Sequence, residues 1–147
     1  MRFLLSSWII IIFLLTCTNN VYRIFEGKLA FVLASNPHWT NLLTLYPLSE
    51  ISKFEFMGHF ILFFILTALL IDVLKSIPRA ALFAVLYGIV TELLQPYFSR
   101  GAEGVDLLAN IVGIMTYVGL YGTRKVGLGM IRGKETGLES RTGEGGS

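Results

Sequence analysis

The chain has 147 residues, 54% of them hydrophobic and 15% charged, with a mean hydropathy of +0.66, against roughly 45–50% apolar and about 25% charged residues in an ordinary soluble domain. Twelve basic residues nearly balance ten acidic ones and form no patch interleaved with aromatics, which excludes a nucleic-acid binder. The single cysteine, Cys17, excludes a disulfide scaffold, and the apolar content excludes disorder outside the tail.

The apolar residues stand in blocks rather than at an amphipathic period, the pattern of membrane spans. The expected fold class is all-α: a polytopic integral membrane protein with four transmembrane helices. They are expected at about 3–18, 57–74, 78–95 and 105–121, each near the short end of the roughly 17–25 residues that cross about 30 Å of hydrocarbon. Residues 1–122 would form the membrane domain.

The first block, FLLSSWIIIIFLLTCT, has two readings. Arg2 followed at once by an apolar run resembles a signal peptide, and Leu14-Leu15-Thr16-Cys17 resembles a lipoprotein cleavage box. Thr16 is larger than the small residue usual before such a cysteine, and the run is long for a signal core, so an uncleaved span is favoured. The segment from Asn19 to Phe56 then forms a long extracytoplasmic loop. Its apolar residues, with Trp39, Tyr46, Pro37 and Pro47, suit the membrane surface.

Only Lys75-Ser76-Ile77 separates the second and third blocks, and Pro78 suits a first helical turn because its missing N–H would be unpaired there. These spans must form an antiparallel hairpin. With four spans both termini share one side, together with Arg2, Lys75, Arg79, Arg124, Lys125, Arg132, Lys134 and Arg141. The other side holds Arg23, Lys28, Lys53 and Arg100. Basic residues concentrate on cytoplasmic flanks, so both termini are expected in the cytoplasm. From Thr123 on, seven glycines in 25 residues predict a flexible cytoplasmic tail.

Ionisable residues inside spans are costly, about +2.5 to +3.5 kcal/mol at a helix centre, and mark sites. Glu92 and Gln95 share a face at the end of the third span, Asp106 and Asn110 share one at the start of the fourth, and His59 opens the second. The topology puts all five near the extracytoplasmic surface as a shallow polar pit, with His59 at its edge and Arg100 above. Ala81, Ala84 and Gly88 continue the Glu92 stripe, and Gly113 and Tyr117 continue the Asp106 stripe. The third and fourth spans are therefore expected to pack along these small-residue faces.

The order Glu92-Leu93-Leu94-Gln95, then Arg100, then Asp106-Leu107-Leu108-Ala109-Asn110-Ile111-Val112-Gly113, resembles the signature of the VanZ-like family. Gly58-His59-Phe60 is similar to that family's histidine-bearing second helix. The family's D-K-x-x-H is replaced here by Glu55-Phe56-Met57-Gly58-His59, so the lysine is lost at Phe56, and Glu103 stands near a position that is often serine. The resemblance implies a small protein of the bacterial cytoplasmic membrane, of a family named for low-level teicoplanin resistance. It does not identify a reaction.

Each polar residue also has a plain structural role: Asp106 complements a helix N-terminus, Asn110 bridges helices, and Arg100 pairs with Asp106, Glu103 or a lipid phosphate. Three functions fit the set. Recognition of a membrane lipid or lipid-linked wall precursor by Glu92, Gln95, Arg100, Asp106, Asn110 and His59 ranks first. Catalysis on such a lipid, with His59, Glu92 and Asp106 as acid and base, ranks second. Proton-coupled transport ranks last, because four short spans leave little room for a path unless the protein oligomerises. No cofactor is expected; His59, Glu92 and Asp106 suit a metal by ligand type, but no H-E-x-x-H or cysteine spacing supports one, and none is expected.

Overall fold

Ser52 and Pro96 punctuate the chain where the blocks alone gave no boundary. The structure, a computed structural model, describes residues 1–18, 27, 33, 34, 36, 37 and 52–142, with side chains as far as 125 and at 127. Among the described residues there are α-helices and one 3-10 turn and no strand. The helices are α1 (Arg2–Cys17), α2 (Lys53–Leu74), α3 (Ile77–Leu94) and α4 (Gly104–Thr142), with the 3-10 turn at Gln95–Phe98 between the last two. The expected interfacial loop, with Trp39, Tyr46 and Pro47, lies outside the described residues; Pro37 is described, without regular structure.

Among the described residues, three helical stretches are long and apolar enough to cross a membrane: Lys53–Leu74, Ile77–Phe98 and Gly104–Lys125, each of 22 residues. At about 1.5 Å per residue each reaches roughly 33 Å. α1 is apolar but has 16 residues, about 24 Å on the same rise. Apolar side chains such as Leu82, Phe83, Leu86, Leu108 and Met115 face outward. A soluble protein avoids so extensive an apolar surface, whereas lipid solvates it.

α2 begins four residues before the expected span. The Ser52 hydroxyl accepts the Glu55 N–H at 3.4 Å, capping the helix ahead of its apolar run. α2 ends at Lys75, which adopts the left-handed conformation at φ 52° and whose ammonium meets Asp72 at 2.8 Å. Ser76 precedes α3, with Pro78 in its first turn. α3 ends where Pro96 removes a main-chain donor, so Gln95 begins the 3-10 turn instead of completing the α-helix.

The core joins Ile12 of α1, Phe63, Leu66, Leu70 and Ile71 of α2, Ala80 and Ala84 of α3, and Ile114 of α4. Ala80, Ala84 and Gly88 form the buried small-residue face of α3, and Ala81 is only half-buried. The expected pairing of the third and fourth spans along their small residues needs correction. Gly113 of α4 packs on α2: a Cβ there would overlap the Phe60 carbonyl oxygen and come within 3.2 Å of the Phe64 nitrogen. Phe60 and Phe64 lean aside and stack, and Tyr117 meets the Phe64 ring edge-on at 5.0 Å. Gly88 does reach α4, with its missing Cβ leaving room for Phe63 and the Asn110 amide.

α1 is tied in by polar side chains. Trp8 Nε1 donates to the Leu62 carbonyl at 3.0 Å, and Tyr87 Oη donates to the Ile9 carbonyl at 2.7 Å. At the other end of the chain, α4 runs on through the segment after Thr123 as far as Thr142. It contains no proline, and good helix formers separate its glycines.

Candidate functional site

Three helix ends meet at the site. α2 carries His59 in its second turn, α3 carries Glu92 in its last turn with Gln95 just beyond, and α4 carries Asp106 and Asn110 in its first two turns. All five residues are at least 96% buried. Such groups are retained in a span only where something compensates them.

His59 is the hub. Its Nδ1 lies 3.1 Å from Asn110 Oδ1 and 3.7 Å from Glu92 Oε1, and its Nε2 lies 3.4 Å from Asp106 Oδ2. Gln95 Nε2 donates to Glu92 Oε1 at 3.2 Å. Thr91, fully buried beside Glu92, donates to the Gly88 carbonyl. Glu92 Oε2, Gln95 Oε1 and Asn110 Nδ2 are buried without hydrogen-bond partners. A buried polar atom left unpaired costs about 1–3 kcal/mol, so three together are a marked expense in one cluster.

Arg100 closes the cluster toward α1. Its Nη1 donates to the Leu15 and Thr16 carbonyls at 3.2 and 3.3 Å, so the guanidinium satisfies helix-end acceptors that have no partner within α1. Its Nη2 stands 3.8 Å from Glu55 Oε1 and 4.0 Å from Asp106 Oδ2, ion-pair range without a hydrogen bond. Glu103, in the loop before α4, is held above the usual carboxylate range by burial first and then by Asp106 and Glu55, with Arg100 opposing.

The six residues singled out in the sequence therefore come together, with two corrections. His59 lies at the centre of the cluster and not at its edge, because the early start of α2 carries it deeper into the helix. The polar groups also do not line an open pit. They are sealed, and the opening beside them is a groove of about 260 Å³ between α1 and α2, lined by Leu15, Phe54, Ile61 and Leu62 and reaching His59, Glu55 and Arg100.

Sequence reasoning missed the anchoring of α1 by Arg100 and the part played by Glu55, although Glu55 lies four residues before His59, on the same helical face. It also set aside a metal. His59, Glu92 and Asp106 each offer a ligand atom, and these atoms all lie within 4.8 Å of one another. Local spacing could not disclose this, since each ligand comes from a different helix.

No family model and no solved structure matches the chain. The uncharacterized membrane protein YwnJ of Bacillus subtilis (strain 168) is 34% identical over 127 residues, covering 82% of this chain and 89% of that protein. With three span-length apolar helices and this extent of identity, the chain is a membrane protein and belongs to the YwnJ family.

Proposed function

We propose that the protein is a VanZ-like component of the bacterial cytoplasmic membrane that recognises the anionic headgroup of a membrane lipid or lipid-linked wall precursor. In this reading α1 is a retained fourth span, shorter than its neighbours and held by Trp8, Tyr87 and Arg100. Both termini are cytoplasmic, and the His59 cluster faces outward. Family association with teicoplanin tolerance follows from the resemblance and is tested by growth on the drug with and without expression.

The observation that carries the reading is the groove. Its volume of about 260 Å³ lies near the lower end of ligand-sized clefts, about 300 Å³. Its walls suit hydrocarbon, and its inner end presents Arg100 with Nη1 fixed by two carbonyls and Nη2 free of hydrogen bonds to Glu55 or Asp106. A guanidinium fixed in this way is prepared to meet a phosphate oxygen without first losing side-chain freedom.

The test is lipid retention by purified protein, read by native mass spectrometry with phosphatidylglycerol, a polyprenyl pyrophosphate and phosphatidylcholine as competing arms. Wild type is expected to keep an anionic lipid, and Arg100→Ala to weaken retention about 10-fold or more, as loss of a charged hydrogen bond of about 1.5–3 kcal/mol requires. Ile61→Trp, which fills the groove and leaves Arg100 in place, should do the same. Equal retention of phosphatidylcholine, or unchanged retention in both variants, overturns the reading. A second reading, catalysis on the same lipid, is favoured by one observation: His59 lines the groove while contacting both buried carboxyl groups.

A further inference from the structure

The hydrogen bond between His59 and Asn110 constrains everything around it. With the ring neutral and Asn110 Oδ1 as the acceptor, His59 Nδ1 is the protonated nitrogen, donating across 3.1 Å. Nε2 then carries the lone pair, and it faces Asp106 Oδ2 at 3.4 Å. Two lone-pair atoms this close in a buried site repel unless a positive centre, a proton or a metal ion, lies between them.

Charge gives the same answer on a wider scale. Around Arg100 stand Glu55, Asp106 and, across His59, Glu92. With Glu103, which feels the same charges, four carboxylates when ionised stand against one guanidinium and leave a negative excess that a dication lowers. Independently, Glu92 Oε2 and Gln95 Oε1 are buried acceptor oxygens without donors, in the one place where further oxygen ligands would be wanted.

We propose that His59, Glu92 and Asp106 bind one divalent cation of the zinc class, oriented by Asn110 and adjoined by the Gln95 amide. The donor set is one imidazole nitrogen and two carboxylates, three protein ligands leaving a fourth position, as in zinc sites that bind water or substrate. Bonds of about 2.1 Å at tetrahedral angles put neighbouring ligand atoms about 3.4 Å apart, which His59 Nε2 and Asp106 Oδ2 match, while the whole set lies within 4.8 Å and Glu92 must draw in to complete it. Calcium asks for six to eight oxygens, more than these side chains supply, and an imidazole nitrogen suits zinc better than magnesium. Asn110 acts as the partner that fixes the tautomer and ring direction of a ligating histidine. The groove meets the cluster at His59, so a lipid phosphate entering it comes up to the cation. The site goes beyond the lipid reading and does not depend on it.

The full chain, purified in detergent without added lipid, is dialysed against Zn²⁺ and its bound metal counted by mass spectrometry. Co²⁺ is the second probe, through the visible absorption that distinguishes four-coordinate from six-coordinate sites. Wild type is expected to retain one ion per chain with a four-coordinate cobalt spectrum. His59→Gln and Asp106→Asn each lose it, and Asn110→Ala weakens binding about 10–100-fold. His38→Ala, which removes the other histidine, retains it. Wild type that holds neither metal, a six-coordinate cobalt spectrum, or binding that survives Asp106→Asn overturns the proposal, and a ligand variant that fails to fold leaves the wild-type count and spectrum to decide. Because no lipid is present, a failure here is separate from a failure of lipid recognition.

Discussion

Gly113→Ala is expected to destabilise the bundle by about 1–3 kcal/mol, the cost of overpacking a seam that cannot give way. The new methyl group would overlap the Phe60 carbonyl oxygen and crowd the Phe64 nitrogen, both main-chain atoms of α2, so no rotamer change relieves it. α2 and α4 must separate, and with them His59 from Asp106 and Asn110. Gly119→Ala on the same helix is the control. Nothing lies within 4 Å of a Cβ there, and alanine exceeds glycine in helix propensity by about 1 kcal/mol, so this change should stabilise. Denaturation in mixed micelles followed by Trp8 fluorescence reads both signs. Equal midpoints for the two variants would show that α2 and α4 do not approach as described.

His59→Leu has the larger expected effect, about 3–5 kcal/mol of destabilisation, because it strips the common partner from two buried carboxyl groups. Asn110 Oδ1 also loses its donor, while the leucine fills most of the volume, so the loss is polar and not a cavity. Glu55→Gln removes a half-exposed acid, and its ion pair with Arg100 at 3.8 Å should cost less than about 1 kcal/mol. The same denaturation series measures both. A His59→Leu midpoint close to that of Glu55→Gln would mean that the imidazole does not compensate Glu92 and Asp106.

Much of this arrangement is visible in the residue order. Apolar blocks reveal α2, α3 and α4, a three-residue link reveals the hairpin, and helical period puts Glu92 near Gln95 and Asp106 near Asn110. These are local regularities, and one strand of sequence is enough to carry them. The remainder is set by contacts between distant residues. That Gly113 seats against Phe60, rather than against the small residues of α3, depends on which helices are neighbours. The period of neither stripe encodes that choice.

His59 was displaced from centre to edge in the sequence reading because the apolar block starts at Met57, whereas Ser52 starts the helix. Residue order puts Arg100 above the site with Asp106, Glu103 or a lipid phosphate as partner, since nothing local reveals that the carbonyl groups of Leu15 and Thr16 end beside it. The glycines after Thr123 suggest a flexible tail, and α4 runs through them to Thr142 along residues that individually favour helix. The three possible metal ligands stand 33 and 14 residues apart in the chain, a separation at which no spacing rule operates.

Whether the cluster faces outward, as proposed, decides whether it can meet a headgroup or wall precursor at all, and cysteine accessibility tests this most directly. In a Cys17→Ser background, Gly101→Cys lies in the exposed loop before α4, beside the cluster, and Lys75→Cys lies at the exposed turn between α2 and α3, at the opposite end. An impermeant maleimide applied to intact cells is expected to label position 101 at once and position 75 only after the membrane is opened. Labelling of 75 but not 101 in intact cells would contradict the orientation, and with it recognition of an extracytoplasmic ligand.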